Sequence, residues 1–442
     1  MISTWRRRRA ARRAEKQQRE GENCGDNMEL AIPKYFRCPI SLDLMKDPVT
    51  LSTGITYDRE SIEKWIESGN FTCPITNQVL RSLEPIPNHT IRQMIQNWCV
   101  ENRSYGIERI PTPRIPVSSV EVLEIQTKIT MACKGRDQIG CRNLVAKIKT
   151  IMNESERNKR CFMGNGTASV LSVAFEEFSR ESFSENAEVL EEILSSLTLM
   201  FPLDGEAKSY LGSAASMDCL VWFLKDGNLS GRRNAVLVLK ELVSSDQNKL
   251  EVLSAIDGAT EGLFELIKEP ICPTATKASL VTIYHMVTTT PTNVKAIAKF
   301  VDMGLVSLLI EMLVDSERSI CEKSLGVLDG ICSCDQGREE ANDHSLTVPV
   351  LVKKIHRVSD TATEFSVSVL WKICKAEKRQ EGGVLLEALQ VGAFQKLLLL
   401  LQIGCGERTK EMATELLKLF NSHRQRLECI DSSDFKDLKR PF

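Results

Sequence analysis

The stretch Phe36-Arg37-Cys38-Pro39-Ile40-Ser41-Leu42 decides how the first hundred residues are interpreted. A second loop, Cys73-Pro74-Ile75-Thr76, follows in the same segment. A structural zinc site needs four ligands, most often from Cys-x2-Cys pairs and histidines. Neither Cys38 nor Cys73 has a partner at that spacing, and His89 stands alone. The sequence therefore predicts two loops that fold without metal.

Short elements lie between and after these loops. Val49-Thr50-Leu51 and Ile55-Thr56-Tyr57 favour a hairpin, with Ser52-Thr53-Gly54 as its turn. Asp58 is placed to N-cap a helix over about residues 59–68. A second helix is predicted over about residues 90–102, because apolar side chains recur there at helical spacing.

Without metal, polar side chains must hold the loops. Carboxylates can accept backbone N–H groups, and an arginine can pair with a carboxylate. The candidates for this stabilising role are Asp47, Tyr57, Asp58, Arg59 and Asn88. The sequence does not say which of them pair.

Beyond residue 120 the chain shows no strand signal and carries a recurring apolar stripe. The stripes begin about 42 to 50 residues apart, at Ala168, Met217, Leu263, Leu305, Val350 and Phe394. Glycines precede several of them, at positions 166, 262, 304 and 392. Further helices are predicted within 234–243, 276–287, 319–331 and 364–373. This period is typical of armadillo or HEAT repeats, so we expect about six stacked units, with residues 120–150 as an atypical cap.

The order of motifs in residues 33–98 resembles the U-box, the recruitment module of one class of ubiquitin ligases. Together with the repeats, the chain resembles plant U-box proteins that carry armadillo repeats. The resemblance implies a mostly α fold: a small α+β, zinc-free, RING-like U-box followed by an all-α armadillo or HEAT-like solenoid. It also implies a plant protein in defence or stress signalling.

The resemblance further implies a docking surface for a ubiquitin-conjugating enzyme (E2). In the family this surface consists of two apolar residues of the first loop, one helix residue and a proline of the second loop. By comparison of motifs, these positions are occupied here by Ile40, Leu42, Trp65 and Pro74. Apolar side chains on loops are costly to expose without a partner. The alternative is that they pack beneath the loops.

Asn77 stands where related ligases place a donor that bridges the E2 and ubiquitin, often a positively charged side chain. Asn is shorter than that donor and uncharged. An equal alternative is that Asn77 serves only as a turn residue of its own loop. The implied reaction is attack of a substrate lysine on the thioester between ubiquitin and the E2. The chain would supply no covalent nucleophile and no cofactor, and would instead position the two reactants.

The expected partners are an E2, ubiquitin and a protein substrate on the repeats. Trp222, Asn234, His285 and Trp371 lie on predicted repeat helices and are candidates for the groove, with a place in the core as the favoured interpretation of Trp371. A non-catalytic adaptor is the alternative function, and a homodimer is left open. Nucleic acid is not expected, because the repeats show no continuous basic stripe.

Composition is that of an ordinary globular protein, with 42% apolar and 26% charged residues and a net charge of −2. No apolar run of about 18 residues predicts a membrane span. The fifteen cysteines suit buried thiols in a reducing compartment. Cys332-Ser-Cys334 is a weak metal motif, and chance proximity is the favoured interpretation.

Arginines concentrate at residues 6–9, 12 and 13. A solvated tail, a nuclear import signal, and a contact with anionic lipid or nucleic acid are the open interpretations. We expect an intracellular, cytoplasmic protein, with the nucleus or a membrane surface as alternatives. The predicted organisation is a basic, disordered tail (1–30), the U-box (31–105), a proline-containing linker (106–120), the repeats (121–425) and a C-terminal tail (426–442).

Overall fold

The structure is a computed structural model that describes residues 32–111, 116–244, 246–289, 294–376 and 383–423. The chain divides into two compact units, residues 1–115 and 116–442. The basic run near the N-terminus and the predicted C-terminal tail 426–442 lie outside the described residues.

The first unit is built on a three-stranded antiparallel sheet. Its strands are β1 (Pro48–Thr50), β2 (Thr56–Asp58) and β3 (Ile86–Pro87), in the order β2-β1-β3. In the predicted hairpin, Val49 pairs with Tyr57, and β3 adds Pro87 on the other side of Val49. The sequence pattern does not predict β3, because a two-residue strand that ends in proline carries no alternation of apolar and polar residues.

Two helices complete this unit, α1 (Arg59–Glu67) and α2 (His89–Glu101), with short 3-10 turns at Lys34–Phe36 and Arg103–Tyr105. Both helices lie within one residue of their predicted starts. The core they cover includes the fully buried Tyr57, Ile62, Ile95 and the thiols of Cys38, Cys73 and Cys99. Apolar residues at helical spacing therefore face this core, as the pattern predicts.

The second unit is all helical. Its first helices are α3 (Ser119–Lys134) and α4 (Gln138–Glu154). Six groups of three follow: α5 (Glu156–Gly164), α6 (Thr167–Ser179) and α7 (Ala187–Thr198); α8 (Gly205–Leu211), α9 (Ala214–Asp226) and α10 (Leu229–Val243); α11 (Gln247–Ala255), α12 (Ala259–Lys268) and α13 (Pro273–Thr288); α14 (Val294–Asp302), α15 (Leu305–Asp315) and α16 (Arg318–Ile331); α17 (Asp335–Asp343), α18 (Thr347–Lys354) and α19 (Asp360–Ala376); α20 (Gly383–Gln390), α21 (Ala393–Ile403) and α22 (Glu407–His423). Three helices per unit is the armadillo pattern, so the predicted fold class is confirmed, with α3 and α4 as the atypical first pair.

Glycines start the second helix of four of these groups. Gly166, Gly258, Gly304 and Gly392 have φ between 70° and 90°, the left-handed region that glycine enters without strain. Gly262 also precedes an apolar stripe in the sequence, but it lies inside α12. A Cβ built there would be 2.7 Å from the Leu224 Cβ, so that glycine allows close packing of α12 on α9.

The third helices of successive groups contact one another, so that α4, α7, α10, α13, α16, α19 and α22 form a continuous layer. Ion pairs cross this layer: Lys149 lies 3.2 Å from Glu192, and Lys372 lies 2.7 Å from Asp329. Each repeat is therefore supported by its neighbours. Among the described residues no single helix is long and apolar enough to span a membrane, although α20 and α21, separated by a 70° bend, have the length and composition together.

Candidate functional site

Two loops of the first unit share one backbone pattern. In the first loop (residues 38–43), the Leu42 N–H donates to the Cys38 carbonyl and the Cys38 N–H donates to the Asp43 carbonyl, both at 2.8 Å. In the second loop (residues 73–78), the Asn77 N–H donates to the Cys73 carbonyl and the Cys73 N–H donates to the Gln78 carbonyl, both at 2.9 Å. Each loop is thus a closed turn that begins with a buried cysteine.

The fifth residue of each loop has a left-handed backbone, with φ of 65° at Leu42 and 55° at Asn77. Asparagine tolerates this conformation, whereas a leucine there is strained. The Leu42 side chain is also 53% exposed. Leu42 thus combines backbone strain with an exposed apolar side chain, which is unfavourable for the isolated protein.

The structure places the other predicted contact residues around the same loops. Ile40 in the first loop and Pro74 in the second are half-buried. Trp65 is half-buried on α1, and its indole N–H donates to the Thr72 carbonyl at 2.8 Å, immediately before the second loop. Trp65 therefore connects α1 to the start of the second loop through this hydrogen bond.

Asn77 is exposed, and its backbone N–H closes the second loop. The left-handed backbone explains an asparagine at this position without any role for its side chain. The bridging role suggested by the resemblance stays a prediction.

The predicted loop-stabilising residues Asp47, Asp58 and Arg59 form one polar cluster. The Arg59 Nε donates to the Asp47 carboxylate at 2.6 Å, and Arg92, which the sequence analysis did not select, lies 3.8 Å from the same carboxylate. The Asp58 carboxylate accepts the N–H groups of Lys46 and Asp47 at 2.8 and 2.9 Å. Burial raises the pKa of Asp58 above its ordinary value, although these two hydrogen bonds act to lower it.

Asp58 stands at the N-cap position of α1, but its side chain makes no capping hydrogen bond. The sequence expectation of a side-chain cap was therefore wrong. The carboxylate binds the chain just after the first loop instead, because two backbone donors converge there.

Asn88 joins the sheet to α2. Its side-chain oxygen caps α2 by accepting the Ile91 N–H at 3.0 Å, and its amide donates to Thr50 and Thr56 at 3.1 and 3.4 Å. One side chain thus fixes the start of a helix to both strands of the hairpin.

Tyr57 and Cys73 form the buried contact beneath the second loop. The Tyr57 hydroxyl lies 3.1 Å from the Cys73 Sγ, and the Thr53 hydroxyl donates to the same sulfur at 3.4 Å. Burial raises the pKa of Tyr57. Desolvation also acts to raise the pKa of Cys73, but hydrogen bonds from Thr53, Thr76 and Tyr57 outweigh it and lower that pKa to about 6.

The first loop has a weaker version of this contact, in which the Asp58 N–H donates to the Cys38 Sγ at 3.3 Å. Sequence reasoning treated Cys38 and Cys73 as failed zinc ligands and overlooked them as acceptors. The repeated Cys-Pro-Ile motif at 38–40 and 73–75 is the signal that would have identified them.

Among the described residues, no group of three or more His, Cys, Asp and Glu side chains is arranged to hold a metal ion. Cys332 is buried, and the Cys334 Sγ accepts the Gly337 N–H at 3.3 Å at the start of α17. These two thiols therefore have structural surroundings.

Candidate groove residues on the repeats have varied surroundings. Asn234 is buried, whereas Trp222 and His285 are half-buried, and desolvation lowers the pKa of His285. Trp371 was expected in the core but is only half-buried: its indole donates to Glu415 at 2.7 Å, and the Lys375 ammonium lies 4.3 Å from its ring centre.

The model of the U-box domain matches residues 32–104, and the model of the plant U-box protein ARM repeat region matches residues 121–440. The chain belongs to the plant U-box proteins with an armadillo repeat region. This U-box protein is 47% identical to U-box domain-containing protein 21 of Arabidopsis thaliana, over 94% of each chain. It is 44% identical to U-box domain-containing protein 20 over 95% of each, and 36% identical to E3 ubiquitin-protein ligase PUB23 over 88% of this chain and 93% of that one, both from Arabidopsis thaliana.

Solved structures similar to this U-box protein include the designed armadillo repeat protein YIII(Dq)4CqI, with 17% identity, a TM-score of 0.46, and coverage of 56% of this chain and 98% of that one. An engineered protein of known crystal structure has 16% identity and a TM-score of 0.50, over 67% and 68% of the two chains. At these identities the likeness concerns the fold alone.

Proposed function

We propose that this U-box protein is an E3 ubiquitin-protein ligase. The U-box binds a ubiquitin-charged E2 and promotes direct transfer of ubiquitin to a substrate lysine, and the armadillo repeats select the substrate. Relatives that carry the name E3 ubiquitin-protein ligase, such as PUB23, support the activity. The observation that carries the docking proposal is Leu42, an exposed leucine in a left-handed backbone at the tip of the first loop.

The docking surface consists of Ile40 and Leu42 from the first loop, Trp65 from α1 and Pro74 from the second loop. Burying Leu42 against an E2 removes its exposed apolar surface from water, worth about 1–2 kcal/mol. The hydrogen bond from the Trp65 indole to the Thr72 carbonyl holds the second loop in place relative to α1. A small surface of this kind suits an E2 that must be exchanged after each transfer.

In the transfer, the neutral amine of a substrate lysine attacks the ubiquitin C-terminal carbonyl carbon. A C–N bond forms, the C–S bond to the E2 cysteine breaks, and that cysteine leaves as a thiolate while the amine's proton passes to solvent. The U-box contributes orientation and not a nucleophile. The low-pKa thiol of Cys73 is fully buried and therefore has no access to a thioester.

The test is discharge of a ubiquitin-charged E2 by the full-length protein, with a panel of E2s. Ile40→Ala and Pro74→Ala should each abolish discharge while the circular dichroism spectrum and unfolding midpoint are retained. Ile86→Ala and Pro87→Ala, at exposed positions of β3 in the same unit, are the matched controls and should leave discharge unchanged.

Full activity of Ile40→Ala or Pro74→Ala would show that the docking assignment is wrong. Absence of discharge by the wild-type protein with every E2 would favour a non-catalytic adaptor in which the repeats bind partners.

A further inference from the structure

We propose that Tyr57 and Cys73 are positioning residues for E2 docking: the hydrogen bonds of the Cys73 sulfur with Tyr57 and Thr53 fix the second loop from below, and with it the position of Pro74. This inference rests on the proposed function, because Pro74 is assigned there to the E2 contact. Neither Tyr57 nor Cys73 touches a reactant, since both are fully buried.

The contact between the Tyr57 hydroxyl and the Cys73 Sγ, at 3.1 Å, defines the geometry. A thiolate can only accept a hydrogen bond, so the Tyr57 hydroxyl is the donor whenever Cys73 is charged. Cys73 immediately precedes Pro74, and the backbone of Ile75, which immediately follows it, acts to lower the pKa of Tyr57. The phenol from β2 therefore acts on the residues on both sides of the proline.

The Cys73 sulfur is surrounded by donors. Besides its contact with Tyr57, it accepts a hydrogen bond from the Thr53 hydroxyl at 3.4 Å, and the side chain and backbone of Thr76 also act to lower its pKa. A neutral thiol is a weak acceptor, and converging donors favour the charged form. The pKa of about 6 for Cys73 agrees with this geometry. The proton that Cys73 loses passes to solvent.

Tyr57 on β2 is a titratable group in contact with the Cys73 sulfur. Burial is the main cause that raises the pKa of Tyr57, and Cys73 adds to the effect. The groups that lower the pKa of Cys73 are the side chains of Thr53, Thr76 and Tyr57 and the backbone of Thr76.

The first experiment measures discharge of charged E2 by the full-length protein at several E2 concentrations. Tyr57→Phe removes one hydroxyl and keeps the ring; we expect about a five- to tenfold increase in KM for the charged E2, as for loss of one hydrogen bond, with kcat changed less than about twofold. Tyr105→Phe, at an exposed tyrosine of the same unit, is the matched control and should change neither constant. An unchanged KM in Tyr57→Phe would overturn the positioning role.

The second experiment tests the thiolate without any E2. Thiolates absorb in the far ultraviolet and thiols do not, so the spectrum of the wild type minus that of Cys73→Ser should titrate with a midpoint near pH 6. Thr53→Val keeps the cysteine and removes one donor, so it should move this titration to higher pH even if Cys73→Ser does not fold. A midpoint above about pH 8, the range of an ordinary thiol, would overturn the charge assignment.

The two experiments separate the inference from the function it rests on. If no E2 is discharged by the wild type, the proposed function fails, while the titration still decides whether Cys73 is a thiolate. If discharge is normal and the titration lies above pH 8, only the thiolate is refuted.

Discussion

At the scale of single residues, Leu42 and Asn77 show what backbone conformation alone can explain. Both occupy the fifth position of their loops with φ of 65° and 55°. Asn77 is the residue type expected there, whereas Leu42 is not. The sequence pattern predicted a turn at each place, but it does not reveal a left-handed leucine, because leucine carries no turn signal.

Leu42→Asn tests whether this leucine is retained for binding. Since asparagine fits the left-handed backbone, we expect the substitution to raise the free energy of unfolding by about 1 kcal/mol. Discharge of charged E2 should fall by about tenfold, as for loss of one apolar contact of ~1.5 kcal/mol. Chemical denaturation and the discharge assay measure the two effects.

Leu83→Asn is the control, because Leu83 is also exposed, at 41%, but its φ is not positive. It should give neither the gain in stability nor the loss in discharge. A marked loss of stability in Leu42→Asn would mean that Leu42 packs within the unit.

At the scale of elements, β2 is the part of the U-box that fastens both loops. Tyr57 holds the second loop through Cys73. The adjacent Asp58 holds the first through its N–H to the Cys38 sulfur and, just after that loop, through its carboxylate. Because successive residues of a strand point to opposite sides, two neighbours can serve two loops.

Asp58→Ala should weaken this arrangement by removing an acceptor from two backbone N–H groups. We expect the free energy of unfolding of the U-box unit to fall by about 2–3 kcal/mol. Asp58→Asn keeps a side-chain oxygen at the same place, and the loss should be less than half as large. Asp43→Ala, at an exposed aspartate, should be neutral by the same denaturation measurement.

Equal losses for Asp58→Ala and Asp58→Asn would show that the negative charge, and not the acceptor geometry, stabilises the unit. No loss in either would refute the role assigned to Asp58.

The helices and the hairpin of the U-box were predictable because apolar spacing and turn residues are local signals. The partners of Asp58 and Cys73 were not, because they depend on residues 11 to 20 positions away that only the folded chain brings together. Likewise the apolar neighbours of Trp371 in the sequence favour a core position, whereas its indole N–H donates a hydrogen bond to Glu415, 44 residues further along the chain. Local patterns thus gave the elements, and distant pairing determined the details of the site.

At the scale of the whole molecule, most of the chain is a layered stack whose stability depends on contacts between neighbouring repeats. Gly330 on α16 illustrates how close these contacts are. A Cβ at Gly330 would lie 2.4 Å from the Val287 Cγ2 and 3.1 Å from the Thr288 Cγ2, both on α13. A Cβ at Gly326, one turn earlier, would lie 3.1 Å from a ring atom of Phe365 and 3.2 Å from one of Tyr284.

These two glycines should respond differently to alanine. Gly330→Ala should lower the free energy of unfolding of the repeats by about 1–2 kcal/mol, because overpacking outweighs the gain in helix propensity. Gly326→Ala should stay within about 0.5 kcal/mol of the wild type, because half-buried rings can shift and the helix gains propensity. Thermal unfolding of the full chain, followed by helical circular dichroism, compares them. Equal effects at the two positions would contradict the packing argument.

The likeness of the two loops has a consequence for how partner choice can diversify. The cysteines and the supports from β2 lie underneath, whereas the side chains of Leu42 and of residues 75–77 are exposed. Substitutions of these exposed side chains leave the buried contacts beneath the loops unchanged. If the loop tips bind an E2 as proposed, partner preference in this family can change a few side chains at a time while the fold of the U-box is kept.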